Sequence, residues 1–135
     1  MHASVEKLLH IKKLVKSKEL NSKPITIVAV SKTFKLDKIL PLIEYGHLHF
    51  GENKVQEALD KWSEIKQKKI GLKLHLVGRL QTNKVKFALR IFDFIHSVDS
   101  EKLAKKIAEE QLKVNKKIKI FLQVNIGDEN QKSGI

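Results

Sequence analysis

The chain has 135 residues and a formal net charge of +12, which is enough length for one α/β domain but short for a complete (β/α)8 barrel. Cysteine is absent, so disulfide bonds and thiolate metal sites are excluded, and we expect a reducing, cytoplasmic setting. No stretch approaches the roughly 18 apolar residues that a membrane-spanning helix needs, and the charged Glu6 and Lys7 indicate that the N-terminus is not a signal peptide.

The positive charge suggests a basic nucleic-acid-binding or interaction module, because phosphate backbones are bound mainly through clustered cations. The excess is nearly all lysine, however, with Arg79 and Arg90 as the only arginines, and bidentate base or phosphate recognition favours arginine. The lysines are spread over all segments without interleaved aromatic residues, mostly on predicted polar helix faces. These polar-face lysines include Lys61, Lys66 and Lys116. We therefore expect no nucleic-acid partner. A steep salt dependence of binding to DNA or RNA would instead favour the nucleic-acid-binding module.

Strands and helices are predicted to alternate along the whole chain. An amphipathic helix over residues 4–17, which Ser4 can cap, comes first. Five short apolar segments then predict strands. They are residues 25–30, 47–50, 73–78, 92–97 and 118–124. Helical periodicity follows each of the first four strands. These helices are expected from near Ile39 to the C′ residue Gly46, from Asn53, around residues 85–89, and from Asp99 or Ser100. The alternation is typical of right-handed βαβ units around a parallel sheet.

Local signals refine three of these helices. Pro41 cannot donate to the carbonyl four residues back, so the regular helix is expected to begin near Ile39. Asn53 and Gln56 form a capping-box pattern, so the next helix is expected to begin at Asn53. The predicted buried stripe of the last helix ends at Leu112.

The segment 25–30 is almost wholly apolar and β-branched, which predicts a strand buried on both faces. Lys32 stands just beyond its carboxyl end, where α/β folds place their chemistry. An amine held there beside apolar walls would have its charged form disfavoured and would attack a carbonyl more readily. Lys32 is therefore the candidate for Schiff-base chemistry.

Polar residues follow each predicted strand, and in a parallel sheet these strand ends share one rim. Lys32, Asn53, Arg79 and Asn125 are therefore candidates for one ligand site, although Asn53 also suits a helix cap. The strand histidines show no His-x-x-x-His spacing or carboxylate cluster, so no metal site is predicted. Glycine-rich nucleotide loops and a Gly-x-Ser-x-Gly elbow are absent from the sequence.

Several motifs in register together resemble the pyridoxal phosphate homeostasis proteins (the YggS type). They are Ala-Val-Ser-Lys-Thr at 29–33, Phe-Gly-Glu-Asn-Lys-Val-Gln-Glu at 50–57, His-Leu-Val-Gly-Arg-Leu-Gln-Thr-Asn-Lys at 75–84, His-Ser-Val-Asp at 96–99, Gln-Val-Asn-Ile at 123–126 and Lys-Ser-Gly at 132–134. The resemblance implies an alanine-racemase-like (β/α)8 barrel and pyridoxal 5′-phosphate as the cofactor. It also implies a Schiff base on Lys32, with Asn53 near the cofactor and Lys132 close to the same mouth.

The resemblance further implies a cytoplasmic carrier that keeps vitamin B6 and amino-acid pools balanced, without established catalytic turnover. Pyridoxal-phosphate-dependent apoenzymes are its expected partners. An amino-acid racemase of this fold is the alternative enzyme, but it needs a second acid–base residue, commonly a tyrosine, and Tyr45 is the only tyrosine here.

The chain departs from the family pattern in length, because it stops just after the Lys-Ser-Gly motif. We expect residues 1–135 to form a single domain, the N-terminal part of a C-terminally truncated barrel with about five of the eight βα units. The later strands of such barrels carry the phosphate-binding loops, so cofactor binding is expected to be weak and reversible. Strand edges and one apolar layer are expected to be uncovered.

Overall fold

The computed structural model describes residues 1–18, 23–127, 130 and 134–135. The helices are α1 (Ala3–Lys16), α2 (Leu36–Tyr45), α3 (Val55–Lys68), α4 (Val85–Ala88) and α5 (Glu101–Val114), with a 3₁₀ turn at Thr82–Lys84. The strands are β1 (Ala29–Val30), β2 (His49–Glu52), β3 (Lys73–Leu76), β4 (Phe94–Val98) and β5 (Lys119–Leu122). The strands form one parallel sheet in the order β1-β2-β3-β4-β5. The predicted parallel α/β architecture is confirmed, with five strands, of which the first four are each followed by a helix among the described residues.

The two faces of the sheet have different environments. Alternate strand residues on one face pack against the helices and form the core, where Phe50, Trp62 and Leu76 are fully buried. Residues on the other face correspond to the lumen of a barrel, and they include Gly51 and His75, which lie opposite each other in the β2–β3 register. None of the helices in the described part of the chain is long and apolar enough to cross a membrane.

The prediction of a strand buried on both faces is wrong for β1. The strand comprises only Ala29–Val30, and Ile25 and Val30 are 54% and 52% exposed. β1 is an outer strand of the five-stranded sheet, so one of its edges pairs with no other strand among the described residues. All four residues of β5, at the opposite edge, are exposed as well. The expectation of uncovered edges is thus confirmed.

Several predicted helix boundaries are corrected by the structure. α2 begins at Leu36 rather than near Ile39, so Pro41 lies inside the helix, while Gly46 ends it with a φ of 108° as expected. The cap of α1 is His2, whose ring nitrogen accepts the Ser4 N–H, rather than Ser4 itself. Ser100 caps α5 by accepting the Leu103 N–H, as one of the two predicted alternatives.

The predicted buried stripe of α5 is too long. Leu103 and Ile107 are buried, but Leu112 is 81% exposed. The helix packs against α4 and the 3₁₀ turn, and β5 beside it is exposed throughout, so its last turn lies against no apolar layer of the described chain.

Candidate functional site

Lys32 lies in a turn immediately after β1, at the carboxyl edge of the sheet. The residue is exposed, so the sheltered amine that the sequence predicted is not observed. The lumen beside it is open because the sheet has five strands. The structure therefore places the amine at the predicted edge but not between apolar walls.

Both neighbours of Lys32 are fixed by hydrogen bonds. Ser31 is buried; its N–H donates to the Gly51 carbonyl at 2.8 Å, and its hydroxyl lies 2.5 Å from Oε2 of Glu52. The Thr33 N–H donates to Oε1 of Glu57 at 2.6 Å. Thr33 has a φ of 68°, a left-handed conformation that β-branched residues rarely adopt. The turn that carries Lys32 is thus anchored to β2 on one side and to α3 on the other.

Asn53 follows β2 as Lys32 follows β1. Val30 pairs with Gly51 in the parallel register. Lys32 is two residues beyond Val30, and Asn53 is two residues beyond Gly51. Asn53 does not begin the helix, because α3 starts at Val55 with Lys54 at the cap position, so the predicted capping box is wrong. Within the described residues, no hydrogen-bond partner reaches the buried Oδ1 of Asn53. This amide oxygen is free to accept a hydrogen bond from a ligand.

Asn53 also lies against the next strand end. A Cβ built on Gly78 would lie 2.5 Å from the Asn53 carbonyl oxygen, so only glycine fits there without a shift. The Gly78 carbonyl in turn accepts the Ser97 hydroxyl at 2.6 Å. The ends of β2, β3 and β4 are therefore tied together at one rim.

The predicted convergence of four rim residues is observed only in part. Asn53 and Arg79 line one cavity of about 350 Å³, together with Lys84, whereas Lys32 and Asn125 are not among its lining residues. A larger groove of about 820 Å³ lies between the start of α2 and α3, and Thr33 and Glu57 line it.

The predicted site residue Lys132 lies outside the described residues. Gly134, from the same Lys-Ser-Gly motif, has a φ of 141°, and its Cβ position would be 2.6 Å from the Asn125 nitrogen. The end of that motif therefore packs against the segment after β5.

Sequence reasoning missed the buried ion pairs of two lysines on α3. Lys61 was predicted to be a solvated helix-face lysine, but its side chain is 8% exposed and its ammonium lies 3.0 Å from Oε2 of the fully buried Glu52. Lys66 pairs with Asp93 at 2.7 Å and is likewise mostly buried. The Glu57–Lys61 spacing of four residues could have predicted an ion pair on the surface of α3, but not the burial of Lys61.

Three histidines form a ladder across the lumen face. Nδ1 of His49 lies 2.9 Å from Nε2 of His75, and Nδ1 of His75 lies 2.8 Å from Nε2 of His96. The His75 ring stacks on Phe94 with centroids 4.1 Å apart. Burial, together with the two neighbouring histidines, lowers the pKa of His75 to about 4. No group of three or more potential metal ligands with suitable geometry occurs in the part of the chain that the structure describes.

Comparison with known proteins now identifies the family. Residues 9–135 match the family model described as the alanine racemase N-terminal domain. The chain belongs to the alanine racemase N-terminal domain family. The predicted fold class is therefore confirmed, with five strands of the barrel present.

Curated relatives are similar to this chain over most of the length of the chain. Proteins named pyridoxal phosphate homeostasis protein from Pasteurella multocida and Escherichia coli K12 are both 38% identical to it, over 111 and 112 residues. Each alignment covers 82% of this chain and 48% of the relative. The predicted resemblance is confirmed, and the chain spans about half the length of the curated relatives that it matches.

Three solved structures have a fold similar to that of this chain. PipY of Synechococcus elongatus PCC7942 without PLP has a TM-score of 0.78 and 36% identity, covering 90% of this chain and 55% of PipY. PipY with PLP bound has a TM-score of 0.77 and 34% identity, covering 91% of this chain and 56% of PipY. A protein from Bifidobacterium adolescentis matches with a TM-score of 0.77 and 28% identity, covering 97% of this chain and 56% of its own.

The residues at the rim fit a ligand with an aldehyde and polar substituents. Lys32 supplies an exposed primary amine on a fixed turn, and Asn53 supplies a buried amide oxygen that has no hydrogen-bond partner within the described chain. Primary amines condense with aldehydes, and buried polar atoms normally have a partner, so Lys32 suits covalent capture and Asn53 suits a hydrogen bond to a ligand.

Proposed function

We propose that this chain binds pyridoxal 5′-phosphate and that Lys32 holds it as a Schiff base. The observation that carries the proposal is the exposed Lys32 on an anchored turn two residues beyond Val30, together with the unpartnered buried Oδ1 of Asn53, two residues beyond Gly51, with which Val30 pairs. PipY, a solved neighbour at 34% identity, has PLP bound, and the curated relatives are named for pyridoxal phosphate homeostasis. The bound cofactor supplies an aldehyde that condenses with a primary amine and releases water.

Individual residues of this chain have separate roles in binding the cofactor. Lys32 is the covalent anchor, and Asn53 accepts a hydrogen bond from the cofactor through Oδ1. Lys132, which lies outside the described residues, is a further cofactor-binding residue in this proposal. Residues 1–135 act as a single domain, the N-terminal part of a barrel, and the affinity is low because phosphate-binding loops of such barrels follow the later strands.

The proposed cellular role follows from this chemistry. The protein acts as a cytoplasmic carrier that buffers pyridoxal phosphate and amino-acid pools, and the recipients are pyridoxal-phosphate-dependent apoenzymes. A carrier needs reversible capture, and the exposed position of Lys32 would leave its bond to the cofactor accessible to water and to other amines. The proposal includes no catalytic turnover.

Reduction with borohydride after addition of pyridoxal phosphate tests the covalent site. We expect peptide mass spectrometry to find the pyridoxyl mass on Lys32, and Lys32→Arg to abolish that labelled peptide because a guanidinium forms no such imine. Lys35→Arg, which changes another exposed lysine three residues away, is the matched control and should leave Lys32 labelling unchanged. Labelling spread evenly over many lysines, with the same total in Lys32→Arg, would contradict the proposal.

A further inference from the structure

We infer that Glu52, Lys61 and Glu57 are positioning residues that hold the Lys32 turn for cofactor capture; this inference rests on the proposed function. The three side chains lie behind the turn, on the helix side of the sheet. Hereafter they are called the turn clamp.

The centre of the turn clamp is a buried carboxylate with three donors. Glu52 is fully buried, and its Oε2 lies 2.5 Å from the Ser31 hydroxyl, 3.0 Å from the Trp62 indole nitrogen and 3.0 Å from the Lys61 ammonium. Burying a carboxylate without partners is costly, and here a cation and two neutral donors replace its hydration. Glu52 therefore has a defined position, and it fixes the Ser31 side chain.

Lys61 connects Glu52 to the rest of the turn. An ammonium group has three N–H donors. Beyond Glu52, Lys61 donates to the Ser31 carbonyl at 2.9 Å and to Oε1 of Glu57 at 3.1 Å. Three partners thus use the three donors, and they hold α3 against the end of β1.

Glu57 secures the other side of Lys32. Its Oε1 accepts the Thr33 N–H at 2.6 Å, and this hydrogen bond is the largest cause that lowers the pKa of the Glu57 carboxyl, with Lys61 adding to it. Thr33 has the left-handed φ of 68°, which a β-branched residue keeps only where its surroundings determine it. Glu57 thereby stabilises the conformation that follows Lys32.

The arrangement separates the reactive side chain from the groups that hold its backbone. Ser31 and Thr33 are both bound to the turn clamp, while Lys32 between them is exposed. A buried ion pair seldom stabilises a fold more than apolar residues of equal volume would. A fixed backbone does increase the rate and equilibrium of capture, because less orientational freedom is lost when the bond forms.

Glu57→Ala is the principal test because its side chain is 26% exposed and its loss leaves the Glu52–Lys61 pair in place. We expect about a tenfold weaker apparent affinity for pyridoxal phosphate. At saturating cofactor the imine absorbance should still form, but the induced circular dichroism of that band should fall, since it reports a fixed cofactor orientation. Glu64→Ala, which removes an exposed ion pair with Lys68 two turns along α3, is the matched control and should change neither.

The conservative replacement Glu57→Gln distinguishes an effect on the position of the Lys32 turn from an effect on the stability of the fold. Glu57→Gln retains a carbonyl oxygen for the Thr33 N–H, so we expect it to restore both affinity and induced circular dichroism even where Glu57→Ala lowers the unfolding midpoint. Unchanged affinity and dichroism in Glu57→Ala, or no recovery in Glu57→Gln, would overturn the inference. Absence of Lys32 labelling in the unmodified protein would instead refute the proposed function, so the two failures are distinguishable.

Discussion

At the scale of single residues, the contact between Gly78 and Asn53 is the tightest constraint on the candidate site. A Cβ on residue 78 would lie 2.5 Å from the Asn53 carbonyl oxygen and 2.7 Å from its Cβ. Because backbone atoms are involved, a rotamer change cannot relieve the clash. We expect Gly78→Ala to lower the free energy of unfolding by about 1–3 kcal/mol, the usual cost of overpacking. Urea denaturation followed by circular dichroism measures this.

Gly51→Ala is the control for the effect of an added methyl group. The three atoms nearest to its Cβ would be methyl carbons of Val28, Val77 and Val30, at 3.2–3.6 Å, and these side chains can move. The substitution also lowers the conformational entropy of the unfolded chain, so we expect a change within about 1 kcal/mol. Equal losses in the two variants would contradict the role of the Gly78–Asn53 contact.

At the scale of secondary-structure elements, a half-buried lysine ties the end of α4 to the start of β4. The Lys116 ammonium donates to the Leu89 carbonyl at 2.9 Å and to the Phe92 carbonyl at 2.7 Å, and burial lowers the pKa of its amine. Lys116→Met keeps the apolar stem but leaves two carbonyls without this donor. We expect it to lower the free energy of unfolding by about 1–3 kcal/mol, measured by urea denaturation.

The neighbouring Lys117 supplies the comparison for that prediction. It is exposed, so Lys117→Met should change the free energy of unfolding by less than about 0.5 kcal/mol. A similar small change in Lys116→Met would show that water replaces the lysine at both carbonyls.

Periodicity predicted which elements exist but not where each one ends. The β-branched run at 25–30 indicates a buried strand, and nothing in it shows that β1 lies at the edge of the sheet. Helix starts were misplaced for another reason: Asn53 has a capping residue's chemistry, but its contact with Gly78 keeps it in the rim. Local sequence preference yielded to tertiary packing at both positions.

At the scale of the whole molecule, the position of Lys32 was predictable from the sequence, whereas the turn clamp behind it was not. Lys32 follows from a strand-end rule, since parallel strands present their carboxyl ends at one edge. The turn clamp depends on Lys61 being buried, and a lysine among 25 in a chain of net charge +12 gives no sign of this in the sequence. Long-range contacts decide which charges are solvated, and one sequence does not contain them.

The histidine ladder could not be predicted from the sequence either, because its three members lie on three different strands. A neutral imidazole carries one N–H, so His75 donates to one neighbour and accepts from the other. Protonation of His75 adds a charge beside two further rings in a buried position, which is why the pKa of His75 is lowered to about 4, with Asp93 opposing the shift weakly. The folded protein therefore requires this imidazole to be neutral.

This requirement sets the sign of a pH dependence. Below pH 6.5 the unfolded chain protonates His75 and the folded chain does not, so the free energy of unfolding falls as the pH falls from 6.5 towards 4. From His75 alone we expect a loss of about 2 kcal/mol between pH 7.5 and pH 5, measured by urea denaturation. The pKa values of His49 and His96 are also lowered by burial, so their contributions have the same sign.

Replacing the central ring tests whether the ladder is the cause. His75→Gln retains hydrogen-bonding capacity but does not titrate, so its free energy of unfolding should change less between pH 7.5 and pH 5 than that of the unmodified protein. His10→Gln, at an exposed position on α1, should keep the full pH dependence. An undiminished loss of stability in His75→Gln would assign the acid sensitivity to groups other than the ladder, because a neutral amide at position 75 takes up no proton on unfolding.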